Sequence, residues 1–174
     1  MILDVPQYYQ SKKDYSCGPM AIRMVADYYL KKEAREMTAT EWLSTLEITM
    51  NNNIRRKLGT KREDFVRALR KLGFTTRSIK GSNYKARLKS ISDAIVRKHP
   101  VIIFCIMKPK RNKYLHFAVV VGIDNDSIYV RDPYPRTRNT QRPRKISLKN
   151  FEAISPAIGG LVWGRSKWGV EVIK

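Results

Sequence analysis

Cys17 stands in "DYSCGPMAIRMVADYY", between a turn-like Ser-Cys-Gly-Pro and a run with helical spacing. A cysteine so placed can serve as a nucleophile, because the thiolate attacks carbonyl carbon and a helix N-terminus favours the thiolate. Attack needs a base, and the chain holds two histidines, His99 and His116. His99 precedes Pro100 at the end of a basic helical segment and reads as a helix-end or surface residue. His116 opens the strand-like "HFAVVVG", and Asp132 follows sixteen residues later in "YVRDPYP". A turn at Asp124 to Asp126, with Asn125 at a positive φ angle, would bring the start of one strand opposite the end of the next. A carboxylate there can accept from the imidazole and fix its tautomer. Donors for a developing oxyanion are the backbone N–H of Cys17 and the side-chain amide of Gln10, seven residues upstream. Gln7, earlier in the same extended segment, is the less well placed alternative.

Positioning these groups falls to a set of elements that the periodicity outlines. "ILDVPQYYQ" reads as extended, with Pro6 restricted to an edge or strand end. Ser16 or Asp14 offers an N-cap for a helix that buries Ala21, Met24, Val25, Tyr28 and Tyr29. Thr38 to Glu41 has capping-box spacing and opens a helix through about Met50. Thr60 to Glu63 repeats the device before "DFVRALRKLG", where Gly73 ends the helix. Residues 84–98 form a third basic amphipathic helix, stopped at His99-Pro100. "VIIFCIM", "LHFAVVVGI", "SIYVRDP", "GGLVWGR" and "WGVEVIK" then read as strands of an antiparallel sheet, with "ISLKNFEAI" a short helix between them. Helices first and sheet second describe an α+β fold, and the absence of a repeat or linker points to one domain over residues 1–174.

Composition narrows the class. A hydrophobic fraction of 43% rules out a disordered chain, and two cysteines are too few for a disulfide framework. Cys105, inside "VIIFCIM", reads as a buried small hydrophobe. No Cys/His cluster offers a structural zinc site, and no cofactor motif is present. The sequence has neither an apolar run of membrane-spanning length nor a signal-peptide plan, so a cytoplasmic or host-cell interior location is expected.

The charge balance is the unusual feature. Thirty-five Lys and Arg against fifteen Asp and Glu leave a net charge of +20, enough to attract polyanions. Two loops concentrate it. "KPKRNK" carries Lys108, Lys110, Arg111 and Lys113, and residues 131–145 carry Arg131, Arg136, Arg138, Arg142, Arg144 and Lys145 against one acid, Asp132. If the two runs flank one end of the sheet, Lys108, Lys110, Arg111, Lys113, Arg136, Arg138, Arg142 and Arg144 form a polyanion-binding patch.

"VPQYYQSKKDYSCGPMAIRMV" and "HFAVVVGIDNDSIYVRDPY" together resemble the bacteriocin-processing, double-glycine leader peptidase-like group of papain-like cysteine peptidases. "GTKREDFVRALRKLGF" and "ISLKNFEAI" extend the resemblance over nearly the whole chain. It implies a papain-like fold, with N-terminal helices packed on a C-terminal antiparallel sheet. It also implies Cys17 as nucleophile, His116 as base and acid, Asp132 as orienter and Gln10 in the oxyanion hole, acting on a peptide or protein substrate. The transporter to which the group's export peptidases are fused has no counterpart in these residues, so specificity for a double-glycine leader is not implied. The expectation is a cysteine peptidase. Its alternative is a nucleic-acid or other polyanion-binding protein on the same fold, with the thiol chemistry auxiliary or lost.

Overall fold

The computed structural model describes residues 1–10, 16–31, 60, 62–107, 114–134, 142–154 and 169–174. Within them, helices α1 (Cys17–Leu30), α2 (Arg62–Lys71), α3 (Tyr84–Val96) and α4 (Leu148–Ile154) accompany six strands. The strands are β1 (Thr75–Ser78), β2 (Val101–Met107), β3 (Tyr114–Ile123), β4 (Ser127–Arg131), β5 (Arg144–Ser147) and β6 (Gly169–Ile173). They form one antiparallel sheet in the order β1-β6-β2-β3-β4-β5. The expected α+β arrangement is therefore present. The expected helix from Thr38 and the strand "GGLVWGR" lie outside the described residues.

The pattern of β3 explains its place. Residues 116–121, "HFAVVV", are all buried, so the strand is covered on both faces and shows no polar alternation. Helix α1 packs against it and is buried from Cys17 to Asp27 except at Arg23. Ala21, Met24 and Val25, expected in the core, have no exposed surface. A helix this enclosed depends on burial more than on local caps, and Ser16 at its N-cap makes no side-chain capping bond. Instead the Ser16 carbonyl accepts the Met20 N–H at 2.9 Å.

Two glycines mark where the backbone comes under constraint. Gly73 takes φ +82° after α2, and the following Phe74 N–H returns to the Leu69 carbonyl at 3.0 Å, as the sequence predicts. At Gly18 the constraint is space, since a Cβ there would collide with the Thr60 side chain. That contact also corrects the capping box expected at Thr60. Its hydroxyl is buried and makes no hydrogen bond, and its side chain packs against Gly18.

The β3–β4 turn is built differently from the expectation as well. Asn125 does not have a positive φ. The Asp124 carboxylate accepts the Asp126 and Ser127 N–H groups at 3.0 and 2.7 Å, an Asx-type closure that needs no left-handed residue. At the end of α3 it is Lys98, with φ 63°, that reverses the chain, so that His99 N–H reaches the Ala94 carbonyl at 2.9 Å.

His99, expected at a helix end, belongs to an ion cluster at that end of the sheet. Glu171 on β6 is buried and accepts from His99 Nδ1 at 2.7 Å and Arg97 Nη2 at 2.9 Å, with Arg77 Nη1 at 3.4 Å. Burial works against the Glu171 carboxylate, but these donors and charges outweigh it and hold its pKa below the ordinary value. The cluster ties α3 and β1 to β6. Glu171→Gln should lower stability by about 1–3 kcal/mol in urea unfolding at neutral pH. Because the folded pKa is depressed, the contribution is complete above the unfolded value of about 4.5 and disappears as pH falls through the folded one. The difference between wild type and variant should therefore shrink on acidification.

Candidate active site

Three elements converge on Cys17. Helix α1 presents it as its first residue, buried to 8% exposure. Strand β3 supplies His116, which is buried, and the segment after β4 supplies Asp132. His116 Nε2 and Asp132 Oδ1 lie 2.7 Å apart, and Cys17 is near enough to the imidazole to act on its titration. With Nε2 engaged by the carboxylate, Nδ1 is the ring nitrogen left for the thiol.

The β3–β4 register refines how His116 and Asp132 meet. The ladder closes with Val119 opposite Arg131, so its continuation sets Asp132 beside Ala118 and diagonal to His116. A side chain two positions along the same face remains within reach of a histidine. The pairing expected from the turn is thus realised diagonally, after a register shift between Val120 and Gly122.

Electrostatics follow from this enclosure. Burial disfavours the imidazolium, but the hydrogen bond it donates to Asp132, its interaction with Cys17, and the Asp132 charge outweigh it. The His116 pKa rises from 6.5 to about 9. A protonated His116 beside the sulfur is the arrangement that supports a nucleophilic thiolate.

The extended N-terminal segment is strapped across the same region. Leu3 N–H donates to the Val121 carbonyl at 2.7 Å, and Tyr8 Oη donates to the buried Asp27 carboxylate on α1. Gln10 N–H donates to the Pro133 carbonyl at 2.9 Å. Gln7 Nε2 donates to the carbonyls of Tyr8 and Asp132, each at 2.9 Å. An amide nitrogen has two hydrogens, so Gln7 has none left for an oxyanion. Its work is to hold the segment against the Asp132-Pro133 turn. Gln10, half-buried and anchored through its backbone beside that turn, is the better candidate for the donor.

Sequence reasoning missed this clamp and two further contacts. Tyr134 N–H donates to Asp132 Oδ1 at 2.9 Å, and Arg144 Nη1 stands 3.6 Å from Asp132 Oδ2. The "DPY" string is the only signal that could have revealed the first. The second depends on β5 pairing with β4, where Val130 faces Arg144. Of the residues expected in a basic patch, Lys108, Lys110, Arg111, Lys113, Arg136 and Arg138 lie outside the described residues. Arg142 is exposed, and Arg144 is engaged with Asp132. Arg131, read as a loop residue, is the buried last residue of β4. Among the described residues no group of three or more His, Cys, Asp or Glu could hold a metal ion. No described helix is long and apolar enough to cross a membrane.

Comparison with known proteins bears on the fold and the family. The transport/processing ATP-binding protein ComA of Streptococcus pneumoniae is 28% identical over 144 residues, which make up 80% of this chain and 17% of that protein. Among solved structures, the peptidase domain of Streptococcus ComA superposes with a TM-score of 0.61 at 24% identity, covering 97% of this chain and 96% of that one. A C39-like peptidase from Bacillus anthracis gives 0.64 at 16% identity, over 99% and 96% of the two chains. A double glycine motif protease from the AMS/PCAT transporter, solved in complex with the leader peptide, gives 0.59 at 20% identity, over 99% and 91%. The papain-like fold of these peptidase domains is therefore also the fold of this chain. Nothing in these similarities supports a nucleic-acid partner. Residues 2–161 match the Peptidase_C39 like family, and the chain belongs to it.

Proposed function

We propose that the chain is a cysteine peptidase, with residues 1–174 acting as one catalytic unit on a peptide or protein substrate. The observation that carries this reading is the 2.7 Å pairing of His116 with Asp132, with Cys17 acting on the same imidazole from the first residue of a buried helix.

In the first half-reaction the Cys17 sulfur bonds to the carbonyl carbon of the scissile peptide. Negative charge gathers on the carbonyl oxygen, where the backbone N–H of Cys17 and the Gln10 side-chain amide would stabilise it. His116 then gives its proton to the leaving nitrogen, the C–N bond breaks, and a thioester remains. In the second half-reaction His116 takes a proton from water, which attacks the thioester carbonyl and releases the acid. The C–S bond breaks, and the Cys17 thiolate beside protonated His116 is restored. Asp132 holds the ring in the tautomer and orientation that both halves need.

A leader peptide is the ligand seen in the AMS/PCAT relative, and such a peptide is the first substrate to try. A cleavage profile on a peptide library with the native chain, set against Cys17→Ala, tests the function directly. Cleavage at defined bonds that vanishes in the variant is expected, whereas cleavage by neither protein would remove the reading.

Further results are expected from the same geometry. The His116 proton needed by the leaving group is lost as pH rises through about 9, so kcat/KM should fall on that limb. The same raised pKa makes the His116 contribution to stability complete below 6.5 and absent above about 9. Gln10→Ala should lower kcat by about a hundredfold with little change in KM, as the loss of an oxyanion donor does. Gln7→Ala should act first on stability, in thermal unfolding, because its donors serve two carbonyls.

A further inference from the structure

The two oxygens of Asp132 have different neighbours. Oδ1 accepts from His116 Nε2 at 2.7 Å and from the Tyr134 N–H at 2.9 Å. Oδ2 faces Arg144 Nη1 at 3.6 Å, the separation of an ion pair. Arg144 opens β5 opposite Val130, two residues before Asp132, so the ladder sets where its side chain starts. The Asp132 side chain is only 11% exposed and that of Arg144 is 38% exposed, so water screens the pair in part, from the arginine side.

A carboxylate with one engaged oxygen can turn about its Cβ–Cγ bond and exchange the two. A cation at Oδ2 removes that freedom and leaves Oδ1 to the histidine. The same cation offsets part of the negative charge that His116 experiences. Among the described residues, the groups around the imidazole include Cys17 from α1, Asp132 after β4, Cys105 opposite it on β2, and the Tyr134 ring edge-on at 6.5 Å between centroids. None of these neighbours among the described residues is a cation, and Arg144, acting through Asp132, is a positive charge that tempers the carboxylate.

We propose that Arg144 is a positioning residue that acts on His116 through Asp132, fixing the carboxylate's orientation and moderating its field on the ring. Its relevance to catalysis rests on the cysteine-peptidase reading, and a charge read from sequence as part of a polyanion patch thereby acquires an inward task. A residue that merely gripped an acidic substrate would raise KM and leave His116 untouched.

The chain's two histidines make the test direct, because each gives its own imidazole resonance and His99→Gln identifies which is which. NMR titration of the full chain should show the His116 midpoint moving up by about half a pH unit in Arg144→Met, with that of His99 fixed. The alkaline limb of kcat/KM should move with it, and kcat should fall about three- to tenfold at constant KM. Arg144→Lys, which keeps the charge, should return the midpoint towards that of wild type. In an Asp132→Asn background Arg144→Met should change neither quantity, since the path through the carboxylate is gone.

An unchanged His116 midpoint in Arg144→Met would overturn the proposal, as would an equal shift with Asp132→Asn already present. Should Arg144→Met misfold, Arg144→Gln serves the same comparison, with the His99 resonance reporting the fold. A wild-type chain that cleaves no peptide defeats the functional reading alone, because the His116 midpoints still decide whether Arg144 acts through Asp132.

Discussion

A buried imidazole can stay protonated only if something nearby outweighs the solvation it has lost. Here that is the hydrogen bond between His116 and Asp132, 2.7 Å long and almost wholly enclosed. It joins a strand covered on both faces to the turn that follows its neighbour, and much of the surrounding structure bears on that turn. Gln7 holds the Asp132 carbonyl, Gln10 holds the Pro133 carbonyl, and the Tyr134 N–H holds the carboxylate itself. Without these bonds the carboxylate could leave the ring, and burial alone would drive His116 to its neutral form.

Enclosure of α1 supplies the second half of the arrangement. A helix start buried among core residues cannot move without opening the core, so Cys17 keeps a constant position relative to β3. Gly18 permits that depth by leaving room for the Thr60 side chain. The N-terminal segment then bridges the two halves, with Tyr8 on the Asp27 carboxylate of α1 and Gln7 on the Asp132-Pro133 turn. Gln10, Cys17 and His116 are held by one connected set of backbone and side-chain bonds.

Much of this was legible in the sequence because it rests on local rules. Ser-Cys-Gly-Pro before a buried apolar run indicates a helix start, Gly73 a helix end, and a His-to-Asp spacing across a short turn a neighbouring pair. What stayed hidden depends on partners distant along the chain. No local pattern says that Gln7 gives both hydrogens to carbonyls, that Thr60 turns towards Gly18, or that Arg144 lies against Asp132. Asn125 was misjudged for a related reason, since the Asp124 carboxylate closes the turn in place of a left-handed backbone. The basic runs illustrate the limit most plainly. Arg131 and Arg144 look alike as charges in a list of residues, yet one ends a buried strand and the other pairs with the carboxylate.

The central claim is that His116 activates Cys17, and the two cysteines provide an internal comparison. Both thiols are buried, so exposure alone gives neither a large advantage. Modification by iodoacetamide, followed by mass spectrometry in the wild type and in His116→Ala, reads the activation directly. Cys17 should react about tenfold or more faster than Cys105 at neutral pH, and the difference should collapse in the variant. Equal, slow labelling of both thiols in the wild type, or a Cys17 rate unchanged by loss of His116, would contradict the account.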